Sequence, residues 1–426
     1  MLVLLVSLGF FLLLGVPIAY SLGLSALSYF LIVQPELLQM LPQGLFAGMD
    51  SYTLIALPLF ILMGQLMNEG GITRRLIDFC MMFAGRFHGG LGLVNVGASM
   101  LFGGISGSST SDTASIGSVL IPEMKRRGYP QGFAAGLTVA SSTMGMIIPP
   151  SIPMVLFAVT AQESVGRLFL GGMTPGIIVG GLQLLLVYGI ARKRGYPQEA
   201  VSIQFRGVVK RVLSSAVVLV MPVFVVGTVV LGIATATESA GLGVVYAIAI
   251  GGFFIHHLTM SAFFEALRTA AVTSAKIMMI IAFSQVFIWV LALERAPQAL
   301  TGFLQGVGLG PTGLLLLLVA VVLTIGTFVD VSPAILLLTP VFLPAVMAAG
   351  VSPILFGVVF VSGLAVGACT PPVGNCLNVC AVVSGLRIGE IFWGALPFLG
   401  ANVLMLVLIS LFPSLVLWLP NVLMGP

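Results

Sequence analysis

Long apolar stretches alternate with short polar interruptions along this chain. Apolar segments lie at 52–67, 131–160, 168–191, 212–233, 240–255, 270–293, 352–383 and 391–418, after a 33-residue apolar stretch at the N-terminus. Crossing the hydrocarbon core takes about 20 helical residues, so these are candidate spans. The N-terminal stretch is interrupted at Gly15-Val16-Pro17, which favours two short helices over one tilted helix. Two other stretches, 87–124 and 311–349, are too long for one crossing at ~1.5 Å rise per residue, and each carries polar residues at its middle. Both are expected to be re-entrant helical hairpins.

Composition sharpens this picture. Only 7% of the 426 residues are charged and 59% are hydrophobic, with a mean hydropathy of +1.18. A soluble domain carries about 25% charge, so a water-soluble globule is excluded. The length leaves room for roughly ten crossings of an all-α polytopic membrane protein. The 52 glycines and 24 prolines imply broken helices, because freed backbone groups survive in a membrane only where protein or a wet cavity satisfies them. The first residues have no basic n-region and no cleavage site, so they are expected to be a retained segment. Cys80, Cys369, Cys376 and Cys380 lie in or beside apolar sequence without CxxC spacing, which assigns them to packing. The net charge of +4 gives no sign of nucleic-acid binding.

The positions of the basic residues set a topology. Arg74, Arg75 and Arg86 precede the first hairpin and Lys125, Arg126 and Arg127 follow it, so both its ends face the cytoplasm. Continuing the parity puts the loop with Arg192, Lys193, Arg194, Arg206, Lys210 and Arg211 inside. Arg268 and Arg387 also fall inside, and the second hairpin opens from the opposite face. By this count Arg167 and Arg295 are outside, Lys276 is within a span, and the remaining fourteen of 17 basic residues are cytoplasmic.

An internal repeat appears at an offset of 222 residues: Pro122 falls on Pro344, Gly145 on Gly367, Pro149-Pro150 on Pro371-Pro372, Gly172 on Gly394 and Pro175 on Pro397. With hairpins entering from opposite faces, these are inverted-topology repeats, a construction of secondary transporters. The expected organisation has scaffold or arm helices at 1–86 and again at 192–310, the latter after the basic loop. One transport region covers 87–191, with its hairpin at 87–124 and a broken helix at 131–160. A second covers 311–426, with its hairpin at 311–349, a broken helix at 352–383 and a final span.

Polar groups cluster at the two hairpin tips and the two helix breaks. The first tip, Ser106 to Thr113, carries seven hydroxyl and carboxylate side chains in eight residues, costly in hydrocarbon without partners. The first break, Ser141 to Pro150, ends in two prolines that free backbone carbonyls. The second half supplies Thr327 to Ser332 with Asp330, and the break Gly367 to Asn375 followed by Asn378. Hydroxyls and carbonyls without clustered carboxylates suit a monovalent cation better than calcium. Asp50-Ser51 is expected to cap a helix, as is Glu238 in Thr235-Ala236-Thr237-Glu238; Lys276 is expected to snorkel or pair. His88, His256 and His257 look interfacial and form no metal constellation.

The blocks ISGSSTSDTASIGSVLIPEM, IIPPSIPMVLF, GGMTPG and TPPVGNCLNV, with DSYTLIALPLFILMGQLM ahead of them, resemble the large membrane subunit of TRAP (tripartite ATP-independent periplasmic) transporters over essentially the whole chain. One departure is TATE at 235–238 in place of the family's TPTE. The resemblance implies a sodium-driven elevator in the bacterial inner membrane, a small four-helix membrane subunit, and a periplasmic binding protein that delivers an organic anion. It places sodium at Ser106, Ser108, Ser109, Asp112, Gly145 and Pro149, and at Asp330, Gly367, Thr370 and Pro371. Ser108, Ser109, Asn375 and Asn378 are the candidates for holding the anion. No P-loop motif is present, so an ion gradient is expected to drive transport, with sodium as coupling ion and no other cofactor. Two rival functions are an intramembrane aspartyl protease using Asp112 and Asp330, and a passive channel. The repeat pairs Asp330 with Ser108 rather than Asp112, which weighs against the protease.

Overall fold

The computed structural model describes residues 1–197 and 205–425, of which 205–216 are described by backbone alone. The side chains of Arg206, Lys210 and Arg211 in the basic loop therefore lie outside the described residues. The first half runs α1 (Leu2–Leu13), α2 (Ile18–Ile32), α3 (Leu41–Met49), α4 (Ala56–Glu69) and α5 (Ile72–Ala84). It continues with a hairpin of α6 (Gly90–Ser106) and α7 (Ser109–Arg126), a broken helix of α8 (Gln131–Ser142), α9 (Met144–Ile147) and α10 (Ile152–Ala161), and then α11 (Val165–Arg194). The second half comprises α12 (Phe205–Val230), α13 (Ala236–Ala249), α14 (Met260–Leu293), α15 (Ala296–Gly306), a hairpin of α16 (Pro311–Phe328) and α17 (Val331–Ala348), a broken helix of α18 (Pro353–Gly367) and α19 (Asn375–Ser384), α20 (Ile388–Leu411) and α21 (Ser414–Met424).

The repeat reaches further than the sequence matches. Moved by 222, the starts of α6, α7, α8, α10 and α11 land within one residue of those of α16, α17, α18, α19 and α20. The same shift lays α2 over α13, α5 over α15, and α3 with α4 over the single helix α14. The one gross difference has a local cause: Asp50-Ser51, poor helix formers whose side chains compete for backbone groups, interrupt the first arm where Val272-Thr273 continue the second.

Seven helices among the described residues are long and apolar enough to cross a membrane, or eight when the pair Gln131–Ile147 and Ile152–Ala161, bent by 41°, counts as one span. Both hairpin tips bond to a helix break. The Ile152 amide donates to the Gly107 carbonyl at 3.4 Å, and the Val373 amide donates to the Thr327 carbonyl at 3.2 Å. Each tip is thus tied to the middle of a broken helix, and both arms of the second hairpin, α16 and α17, are by length and composition among the seven candidate spans. Packing is reciprocal: α7 lies on α19 and α17 on α10, so each return arm covers the half-helix beyond the other half's break. Helices α8 and α20 approach through Gly136 and Gly394, where a methyl group on either would meet backbone of the other helix.

The N-terminal stretch is two helices, turned by Gly15 at φ +77° and held by Ser7 and Ser25 hydroxyls 3.1 Å apart. Other expectations change. Helix α14 begins at Met260, ten residues before the apolar run, because polar Ser261, Glu265 and Arg268 stay exposed on its first turns. The stretch 391–418 is two helices that part at Phe412-Pro413. Asp50-Ser51 caps nothing: Ser51 precedes a short 3-10 turn without accepting a capping bond, and Asp50 ends α3. Glu238 does cap. It and Thr235 form a reciprocal capping box at the start of α13. Lys276 is exposed on α14, and all four cysteines are buried free thiols.

Candidate functional site

The first tip is a dry polar pocket. Gly107, at φ +62°, ends α6 in the left-handed region and turns the chain into Ser108, the N-cap of α7. That turn brings the Ser106 hydroxyl onto Asp112 Oδ1 in a short hydrogen bond. Asp112 is fully buried, and its other oxygen, Oδ2, has no hydrogen-bond partner. Oδ2 lies against Gly145 of α9: a methyl group there would collide with it and stand 2.9 Å from Asp112 Cγ and 3.3 Å from the Ser108 carbonyl carbon. A bare carboxylate oxygen in a buried site is expensive, and it stays charged there only when paired or beside a cation.

The surrounding hydroxyls are ordered. Thr113 donates to Ser142 at 2.8 Å, Ser109 lies 3.0 Å from the Cys376 thiol, and Ser108 pairs with Thr110 at 3.1 Å. Pro149 sits in the break with its carbonyl against α6, 3.0 Å from where a methyl on Gly104 would be. Ser106, Asp112, Gly145 and the backbone of Ser108 are therefore brought together, while the Ser109 hydroxyl faces Cys376 of the second half.

The second tip is more open. Asp330 stands exposed at the N-cap position of α17 without a capping bond, and its Oδ1 accepts from Asn375 at 2.9 Å, which joins tip to break. Gly367 packs on Gly326 so closely that a methyl on it would stand 2.6 Å from the Gly326 Cα. Two expected residues make local bonds, and a third has no polar side chain. The Thr370 hydroxyl donates to the Val366 carbonyl at 3.0 Å, Asn378 donates to the Val373 carbonyl at 3.0 Å, and Pro371 offers only backbone. Asn378 thus braces the unwound segment, while Asn375 faces the carboxylate.

Several functional-looking groups lie outside the sequence candidates. The Ala140 carbonyl, one turn before the first break, accepts from Gln183 of α11 and Asn402 of α20, each at 3.1 Å. Asn402 also donates to Thr143 at 3.0 Å and accepts from Gln183 at 2.7 Å. On another face of α8, Asn95 donates to Thr138 at 2.7 Å and accepts from Ser141 at 3.1 Å. A lone amide within an apolar run was the available signal for Asn95, Gln183 and Asn402.

A family model described as "Tripartite ATP-independent periplasmic transporter, DctM component" covers residues 5–415. This chain belongs to that family. Among TRAP relatives, the sialic acid TRAP transporter large permease protein SiaM of Vibrio cholerae is 35% identical over 96% of both chains. The C4-dicarboxylate TRAP transporter large permease protein DctM of Pseudomonas aeruginosa is 36% identical over 94% of both. The crystal structure of the Alcanivorax borkumensis YdaH transporter superposes with a TM-score of 0.64 over 92% of this chain and 90% of its own, at 16% identity, which is a likeness of fold. Membership in a family of TRAP permeases sets the protease aside: this is a multi-pass membrane transport protein and not an enzyme.

Proposed function

We propose that this TRAP permease is a sodium-coupled importer of small organic anions in the bacterial cytoplasmic membrane. The observation that carries the proposal is the fully buried Asp112 carboxylate with one oxygen unpartnered beside Gly145, in a half whose counterpart presents Asp330 at the other tip. One sodium would take Asp112 with oxygens of Ser106, Ser108 or Ser109 and the first break; the second would take Asp330 with carbonyls freed around Gly367, Thr370 and Pro371. The first ion would supply the partner that Asp112 Oδ2 lacks, and the second would join Asp330 to the break beside its bond from Asn375, so each favours the geometry in which tip and break are closed.

The anion would lie where the N-termini of α7 and α19 converge, at Ser108, Ser109 and Asn375, with Asn378 holding the loop beneath it. Both N-termini lack a side-chain cap and both meet at the Ser109–Cys376 contact; the Cys376 amide is bonded to the Ala368 carbonyl, and the positive ends of the two helices favour a carboxylate. Ion and substrate then favour one closed state, and each shifts it by its own differential affinity. The two hairpins with their broken helices would travel as a unit against the arms α1–α5 and α12–α15, an elevator. A small membrane subunit would extend that scaffold, and a periplasmic binding protein would deliver the anion; the family's description as tripartite and periplasmic supports both. C4-dicarboxylates, sugar acids and sialic acids are the substrate classes, since relatives are named for sialic acid and C4-dicarboxylate transport.

The test is uptake of labelled succinate and sialic acid into proteoliposomes holding the permease, its small subunit and its binding protein. Uptake should require an inward sodium gradient, and Asp112→Asn or Asp330→Asn should each weaken the sodium dependence while the complex still assembles. Equal uptake with and without the gradient would replace this proposal with a passive channel.

A further inference from the structure

The two halves are not equal where they touch. Helix α7 packs on α19 with the Ser109 hydroxyl and Cys376 thiol 3.0 Å apart, and beside that contact Thr113 bonds the Ser109 carbonyl within α7 and Ser142 of α8. Two more thiols of the second half cross the same seam. Cys369 donates to the Val139 carbonyl at 3.4 Å and Cys380 to the Ala135 carbonyl at 3.6 Å, both on α8. The pseudo-symmetric contact of α17 with α10 has nothing of the kind. Moving by 222 replaces Ser109, Thr113 and Ser142 with Val331, Ile335 and Leu364, and replaces Cys369, Cys376 and Cys380 with Ile147, Met154 and Ala158.

Apolar packing fills that second contact well, so stability alone does not call for hydroxyls and thiols in the first. What distinguishes the polar seam is its place. Ser109 follows Ser108 at the first tip, and Cys376 follows Asn375, which holds Asp330 at the second tip. One hydrogen bond therefore separates the elements of one ion site from those of the other, and it has a directional geometry that greasy contacts lack.

We infer that the Ser109–Cys376 hydrogen bond is a positioning contact that couples the two ion sites, so that occupation of either tip raises the affinity of the other. The inference rests on the proposed sodium function. Closing the first tip on its ion fixes the start of α7; the bond then fixes the start of α19 and points Asn375 at Asp330. Coupling is reciprocal, so binding at the second tip organises the first by the same factor. Cys376 is a positioning residue: it acts through Ser109 and Asn375.

Equilibrium binding of ²²Na⁺ to the full-length permease in lipid nanodiscs tests this. The wild type should bind two ions with a Hill coefficient above one. Cys376→Val, close in size and without a hydrogen bond, should keep the stoichiometry while the Hill coefficient falls to one and half-saturation rises about 5-fold or more. Cys376→Ser should restore both, and Cys380→Ala, which removes a seam bond away from the tips, should leave both unchanged. If Cys376→Val does not fold, Cys376→Ala serves in its place. Cooperativity that persists in the Val or Ala variant overturns the inference and leaves the sodium function standing, as does a wild type that binds two ions without cooperativity. A wild type with no saturable sodium binding overturns both.

Discussion

Replacing Gly145 with alanine puts a methyl group where Asp112 Oδ2 now lies, 2.9 Å from the carboxylate carbon and 3.3 Å from the Ser108 carbonyl carbon. The neighbours cannot step aside freely, since Asp112 is fully buried and held by Ser106. Overpacking of this kind costs about 1–3 kcal/mol. If the strain is relieved by displacing the carboxylate from its ion, sodium affinity falls about 5- to 150-fold, at ~1.4 kcal/mol per tenfold. Gly181→Ala is the control. Nothing lies within 4 Å of that added carbon on α11, and alanine there should stabilise the helix by about 0.5–1 kcal/mol. Sodium binding in nanodiscs and thermal unfolding with and without sodium report the two effects separately. Gly145→Ala should lose most of the sodium-induced rise in melting temperature, and Gly181→Ala should keep it. A Gly145→Ala protein that binds sodium within twofold of the wild type would refute the placement of an ion beside Asp112.

Three further outcomes can be measured. Asn402→Leu removes two donated bonds, to Ala140 and Thr143, and Gln183's acceptor; it should cost about 1–3 kcal/mol, and an unchanged melting temperature would count against the clamp on α8. Glu238→Ala removes the reciprocal capping box with Thr235 at the start of α13, so hydrogen exchange at 235–240 should loosen, and unchanged exchange would count against the cap. Cysteines placed by Lys193→Cys and Arg295→Cys should react with impermeant reagents from opposite faces, and labelling from one face would overturn the inverted topology.

The sequence by itself determined the solvent, the hairpins and the duplicated construction. Each is written in local signals: hydropathy at span length, a polar tip in the middle of an apolar run, a proline pair recurring after 222 residues. These signals are strong because lipid tolerates few ways of satisfying a backbone, so a break must be marked by the residues that make it. It could not place α5 or α15, which are short and carry too little apolar sequence to stand out as spans. Nor could it tell which candidate ligands face the site. Ser106 and Asp112 converge because Gly107 turns the chain, whereas Thr370 and Asn378, equally polar in the sequence, donate to nearby carbonyls. Only the tertiary structure decided that the halves differ in burial, that Gln183 and Asn402 grip α8, and that three thiols cross one face of the repeat axis and none the other. Such contacts join residues as much as 267 positions apart, and a partner at that distance leaves no trace in local pattern: what a buried oxygen or thiol does depends on the group the fold sets opposite it.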